Sequence, residues 1–113
     1  MYTLYGIKNC DTVKKARKWL DENTIAYQFH DFRNDGLDTK LLTKLEAKLG
    51  WENMLNRRST SWRQLDKNQK DGLSSAKAIS LMLATPTLIK RPVLNTGEQM
   101  LIGFNLDDYQ KLR

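Results

Sequence analysis

Cysteine is nearly missing from this chain: Cys10 is the only one in 113 residues. An internal disulfide is therefore excluded, and with a single histidine, His30, there is no donor set for a structural zinc site. Proline is almost as scarce, with two residues, Pro86 and Pro92, each marking a place where a helix must stop or a loop must bend. No apolar run approaches the roughly 20 residues that cross a bilayer. The N-terminus lacks the basic-then-apolar pattern of a secretory leader, so a cytoplasmic location away from membranes is expected. Internal repeats and low-complexity tracts are absent as well.

What the chain does have is ordinary for a globular protein: 40% hydrophobic and 28% charged residues. A single domain over residues 1–113, with a core that needs no covalent staple, is the expectation. The formal charge of +6 favours acidic partners, whether oxyanions, carboxylates, nucleic acid or an acidic protein face, and does not choose among them.

Periodicity divides the chain into an α/β order. Tyr2 to Tyr5 reads as a strand, and Asp11 to Glu22 as an amphipathic helix with Val13, Ala16 and Leu20 on its apolar side. Ala26 to Phe32 alternates at period two, and the helical length between the two strands permits a parallel pairing through a crossover. Asp38 can cap a helix carrying Leu41, Leu42, Leu45 and Leu49, with Gly50 as its stop and a short helical turn over Trp51 to Leu55. Asn56 to Arg63 is polar and without period and reads as a connection, followed by a charged, helical or turn-rich stretch to Asp71-Gly72. Ser74 or Ser75 caps a further helix with Ala76, Ile79, Met82 and Leu83 at helical spacing, ending at Thr85 before Pro86. Val93-Leu94 and Gln99 to Ile102 flank a hairpin signal at Asn95-Thr96-Gly97-Glu98, and Asn105 can cap a last helix with Leu106, Tyr109 and Leu112.

The residue with most chemical promise is Cys10, which the first strand delivers to the start of the first helix. Free N–H groups and the positive end of the macrodipole gather at a helix N-terminus and favour a thiolate over a thiol. Asp11 opposes that ionisation, while Lys8 and Lys14 assist it. A packing role is the plain alternative, since unpaired cysteines are often buried. His30 has no evident partner, Met54, Met82 and Met100 read as core filler, Trp19, Trp51 and Trp62 as packing residues, and Gly103 as a point of close approach to the last helix.

The segments Tyr5-Gly6-Ile7-Lys8-Asn9-Cys10-Asp11-Thr12-Val13-Lys14-Lys15-Ala16, Arg57-Arg58-Ser59, Lys90-Arg91-Pro92-Val93 and Ile102-Gly103-Phe104 stand in an order that resembles the arsenate reductase (ArsC) and Spx family, and within it the small YffB-type members. The resemblance covers nearly the whole length. It implies a thioredoxin-like (glutaredoxin-like) fold: a mixed four-stranded sheet with flanking helices and a helical insertion.

For the residues, the resemblance implies that Cys10 is a nucleophile, that the bond before Pro92 is cis, and that Arg91 with Arg58 or Arg57 binds an anionic substrate, Lys8, Asn9 and Pro92 completing the site. No bound cofactor or metal is implied. Glutathione is the expected co-substrate, with a small thiol or oxyanion compound, a glutaredoxin or an acidic protein surface as further partners.

Two departures from the family pattern narrow this. Arsenate-reducing members carry a further arginine after the hairpin, and Gly97 to Asn105 contains none, which weakens the case for arsenate. Spx carries a Cys-x-x-Cys switch, and here its second position is Val13, so any redox cycle is monothiol. The expected function is a glutathione-dependent thiol–disulfide reductase. The alternatives are arsenate reduction proper and an Spx-like, transcription-associated interaction module without catalysis. Nucleic-acid binding, suggested by Trp62 amid Arg58 and Arg63, is disfavoured by the scatter of the basic residues.

Overall fold

The structure, a computed structural model, describes residues 1–113. The chain divides into two compact units, one formed by Met1–Gly36 with Arg91–Arg113 and the other by Leu37–Lys90.

The first unit is built on a mixed four-stranded sheet in the order β2-β1-β3-β4. Strand β1 (Tyr2–Gly6) leads through helix α1 (Asp11–Glu22) to β2 (Tyr27–Asp31), which pairs parallel to β1 from Tyr2 opposite Tyr27 to Gly6 opposite Asp31. The crossover expected from the sequence is thus present, since parallel neighbours cannot be joined by a tight turn. β3 (Val93–Asn95) lies antiparallel on the other side of β1, with Tyr5 opposite Val93, and β4 (Met100–Ile102) completes the hairpin. In the hairpin turn Gly97 takes φ +94°, a conformation open to glycine, and its N–H donates to Asn95 Oδ1 at 2.9 Å.

The period-3.6 stripe of α1 is buried as its sequence predicts: Val13, Ala16 and Leu20 are inaccessible. Ala16 and Leu20 join Leu4, Leu94 and Tyr109 in one core, against which Trp19, Phe29 and Phe104 pack. Tyr109 belongs to the last helix, Leu106–Gln110, whose N-cap Asn105 accepts from the N–H groups of Asp107 and Asp108. Its hydroxyl is buried without a partner, and burial pushes its pKa far above the usual phenolic value.

The second unit is helical. Asp38 caps α2 (Thr39–Leu49) by accepting from Leu41 N–H at 2.8 Å, and Gly50 ends it at φ +80°. α3 (Trp51–Met54) follows at once. Two short helices come next, α4 (Thr60–Arg63), capped by Ser59, and α5 (Lys67–Lys70), capped by a reciprocal Asp66–Gln69 box. α6 (Ser75–Ala84), capped by Ser74, buries Ala78, Ile79 and Met82 and meets α2 through a 2.6 Å hydrogen bond from Ser75 Oγ to Glu46 Oε1. A single 3-10 turn over Pro86–Leu88 returns the chain.

Three sequence expectations change. The connection over 56–63 contains α4, because Ser59 sits where its hydroxyl can accept from Trp62 N–H. Leu112 lies beyond the last helix, which is now α7. Gly103 is not a point of close approach: nothing lies within 4 Å of a methyl placed there, and the glycine serves a φ of +74°.

Candidate functional site

Sheet register explains what gathers at the C-terminal end of β1. That strand runs into the turn that ends at Cys10, and β2 ends beside it at Asp31. β3 runs the opposite way, so its first residue, Val93, stands next to Tyr5, and Arg91-Pro92 arrives at the same end of the sheet. The Arg91–Pro92 bond is cis, in agreement with the family expectation, and Pro92 O accepts from Gly103 N–H at 2.8 Å. Cys10 and Arg91, 81 positions apart in sequence, therefore meet as a consequence of strand order.

Cys10 is the N-cap residue of α1, with extended backbone (φ −85°, ψ 126°), and it is half-buried. Its carbonyl accepts the first helical bond from Lys14 N–H at 3.0 Å, and its own N–H donates to Ile7 O at 3.1 Å. The sulfur forms no cap hydrogen bond of normal length, yet the Val13 and Thr12 N–H groups lie close enough to favour its anion. Burial of the sulfur is the largest effect and raises the thiol pKa. The Val13 N–H, the Arg91 guanidinium through a hydrogen bond and its charge, and the Thr12 N–H act together against it, and the balance lies below the ordinary thiol value. A sulfur buried among apolar groups would shift the other way.

Arg91 is held with unusual donor capacity left over, since its Nε and Nη1 are buried and have no hydrogen-bond partner. Unpaired buried donors on a charged group are costly, and an anionic neighbour relieves that cost. A Cys10 thiolate is one such neighbour.

The cysteine turn is anchored by a residue that the sequence reading passed over. Asp31 is 3% exposed, and its carboxylate accepts from Lys8 N–H at 3.0 Å, Arg33 N–H at 2.7 Å and Asn34 N–H at 3.2 Å. Burial raises its pKa, the three amides and the Arg33 charge more than reverse this, and the carboxyl sits below its usual range. One buried anion thus ties the turn before Cys10 to the turn after β2. An aspartate between aromatic residues at a strand end is the signal that could have found it, because strands disfavour this residue.

Gly6 was also missed: a methyl at this position would stand 2.7 Å from Val13 Cγ2, so α1 can lie this close to β1 only over a glycine.

The remaining expected site residues fall in two places. Lys8 and Asn9 are exposed in the cysteine turn, where they line an open groove along α1 with Lys14, Arg17 and Lys18. Arg57 and Arg58 are exposed in the helical unit, between α3 and α4. The Arg57 guanidinium carbon is 5.7 Å from the Trp62 ring centroid, and Arg58 donates its N–H to Asn56 Oδ1 at 3.1 Å and accepts from Arg63 Nη2 through its carbonyl. His30 gains the partner it lacked in the sequence reading, its Nε2 lying 2.7 Å from Gly36 O, and it packs against the rings of Tyr5 and Phe32. No three His, Cys, Asp or Glu side chains gather as a metal site would require, and no helix is long and apolar enough to cross a membrane.

A mixed β2-β1-β3-β4 sheet with flanking helices, a cysteine capping the first helix and a cis-proline beside it define a thioredoxin-like protein. More narrowly, the chain belongs to the ArsC family, whose model matches residues 5–112 and so runs across both units. It is similar to the solved YFFB protein, at 53% identity and a TM-score of 0.93 over 98% of this chain and 97% of that one. An arsenate reductase (ArsC) related protein from Brucella melitensis shares 43% identity, with a TM-score of 0.81 over 97% of this chain and 92% of that one. The global transcriptional regulator Spx of Streptococcus mutans is 32% identical, covering 96% of this chain and 80% of its own length.

Proposed function

We propose that this protein is a glutathione-dependent thiol–disulfide reductase working by a monothiol mechanism, with Cys10 as nucleophile. The observation that carries the proposal is the pairing of a half-buried N-cap thiol, its pKa held below the ordinary value, with a half-buried arginine whose buried Nε and Nη1 have no partner.

In the first step the Cys10 thiolate attacks the glutathione sulfur of a mixed disulfide. A Cys10–glutathione disulfide forms, the original S–S bond breaks, and the substrate leaves as a thiolate that takes a proton from water. In the second step a glutathione thiolate attacks the glutathione sulfur of that adduct, releasing oxidised glutathione and restoring the Cys10 thiolate. The substrate disulfide is reduced by two electrons, and two glutathione units are joined. With a single cysteine in the chain, the resolving thiol must come from outside, from glutathione or a glutaredoxin.

Arg91 has two roles in this scheme: it stabilises the thiolate and offers N–H donors to a carboxylate of glutathione. Lys8 and Asn9 in the cysteine turn, and the cis Pro92 loop, would complete the local binding surface. Arsenate is less well matched, because 97–105 supplies no additional arginine for a tetrahedral oxyanion.

The test joins titration with turnover. The rate of Cys10 alkylation against pH should give a thiol pKa below the free value of about 8.5, and Arg91→Met should return it toward that value. Reduction of a glutathione mixed disulfide should fall to background in Cys10→Ser. A thiol pKa at or above the free value, or turnover that survives Cys10→Ser, overturns the proposal and leaves an interaction module as the better reading.

A further inference from the structure

Beside the cysteine turn, an open groove of about 460 Å³ runs along α1. Four cations line it, Lys8, Lys14, Arg17 and Lys18, and Asp21 and Glu22 lie at its other end. The cations occupy the end nearer Cys10, since positions 14, 17 and 18 fall within the first two turns of the helix that Cys10 caps.

Arg17 differs from the three lysines. Its Nε donates to the Tyr27 hydroxyl at 3.1 Å, and its guanidinium carbon lies 4.3 Å from the centroid of the Phe29 ring. A guanidinium fixed along one edge and across one face has already lost most of its side-chain freedom. With Nε committed, the fork that remains is the two terminal amino groups, the pair suited to both oxygens of a carboxylate. Lys8, Lys14 and Lys18 are exposed and add charge without a fixed geometry.

We infer that this groove docks an acidic stretch of polypeptide flanking the cysteine of a protein substrate, with Arg17 as its carboxylate anchor. The inference rests on the thiol-reductase reading for its substrate and deepens it: protein mixed disulfides with acidic flanks are the substrate class. The groove shares Lys8 and Asn9 with the turn that ends at Cys10, which puts its cationic end at the residues next to the nucleophile in the chain. Asp21 and Glu22 argue against a nucleic-acid backbone, which would carry its phosphates past them, and no aromatic side chain lines the groove to stack a base.

Two labelled peptides test this, identical except for two glutamates or two glutamines beside one S-glutathionylated cysteine. Binding to Cys10→Ser protein, which cannot turn them over, is measured by fluorescence anisotropy at low salt, and reduction by the wild type is measured in parallel. The glutamate peptide should bind about tenfold more tightly, as a charge-assisted bidentate contact allows. The preference should fall below about twofold in Arg17→Gln and partly in Lys14→Gln, an exposed position where folding is not at issue. In turnover the preference should appear in KM and not in kcat.

Equal binding of the two peptides, or a preference that Arg17→Gln and Lys14→Gln leave intact, overturns the groove assignment. So does stronger displacement of the bound glutamate peptide by a single-stranded oligonucleotide than by unlabelled glutamate peptide. Failure of the wild type to reduce either peptide, with the binding preference present, supports the groove as a docking site and overturns the thiol-reductase reading instead.

Discussion

The sheet unit and the helical unit are held by different kinds of contact. In the first, single residues satisfy several constraints at once: buried Asp31 receives three backbone N–H groups, buried Gly6 lets a helix lie against a strand, and half-buried Arg91 stands beside the only thiol. In the second, helices of four to eleven residues begin at the caps Asp38, Asp66 and Ser74, which are exposed, and Ser59, which is half-buried, each accepting one backbone N–H. Such caps contribute independently of one another, whereas the buried positions of the sheet unit act together. A single substitution should therefore cost more in the sheet unit, and its effects should reach Cys10.

The largest loss is expected at Asp31. Replacing it by alanine removes the acceptor for three N–H groups at a site 3% exposed, and about 2–4 kcal/mol of stability should go with it. Because the Lys8 N–H is one of the three, the pH profile of Cys10 alkylation should change as well, which a purely global loss of stability would not produce. Asp31→Asn isolates the charge. The folded carboxyl lies below its ordinary pKa, so its ionisation contributes stability that is fully present above the unfolded value of about 4 and is lost as pH falls through the lower folded value. Urea midpoints of wild type and Asp31→Asn should differ at neutral pH and converge as the solution is acidified below about pH 4. A gap that is constant with pH would assign the effect to shape alone.

Gly6→Ala comes next. The added methyl would meet Val13 Cγ2 at 2.7 Å, so α1 must shift or Val13 must leave its rotamer, at about 1–3 kcal/mol. The double variant Gly6→Ala, Val13→Ala should recover part of that loss, since it removes the clashing group while opening space of its own. If the second change adds to the first with no recovery, the close approach of strand and helix is not what Gly6 provides.

Much of the fold was legible in the sequence because its longer elements carry a clean period. Val13, Ala16 and Leu20 fix the buried face of α1, and Asp38 and Gly50 bracket α2 at the expected positions. The sheet order was not legible from pattern and came with the family resemblance, as did the cis bond before Pro92. Cys10 could be placed at a helix start from local sequence alone, but its meeting with Arg91 depends on β3 pairing antiparallel to β1, a long-range fact that no local period encodes. Asp31 and Gly6 escaped for a related reason. Each is explained by a neighbour brought close in three dimensions, the Lys8 amide for one and Val13 for the other, although Val13 is only seven positions from Gly6. In the helical unit α4 was missed because it is a four-residue helix with no room for a period, and only its Ser59 cap marks it.

Smaller effects are expected among the contacts of the helical unit. Asp38→Ala removes one exposed cap acceptor, the partner of Leu41 N–H, and should cost about 1 kcal/mol. Arg57→Gln marks the lower end. The guanidinium carbon of Arg57 is 5.7 Å from the Trp62 centroid and Lys70 Nζ is 5.3 Å from it, so two cations share one indole. An exposed pair of this kind contributes about 0.5 kcal/mol, and removing one cation also relieves its repulsion of the other, which reduces the net loss further. A double-mutant cycle over Arg57 and Lys70 measures that cross term. The loss from Arg57→Gln should be larger in the Lys70→Gln background than in the wild type, because the remaining cation then has the ring to itself. Equal losses in the two backgrounds would mean that the two cations do not sense each other through Trp62.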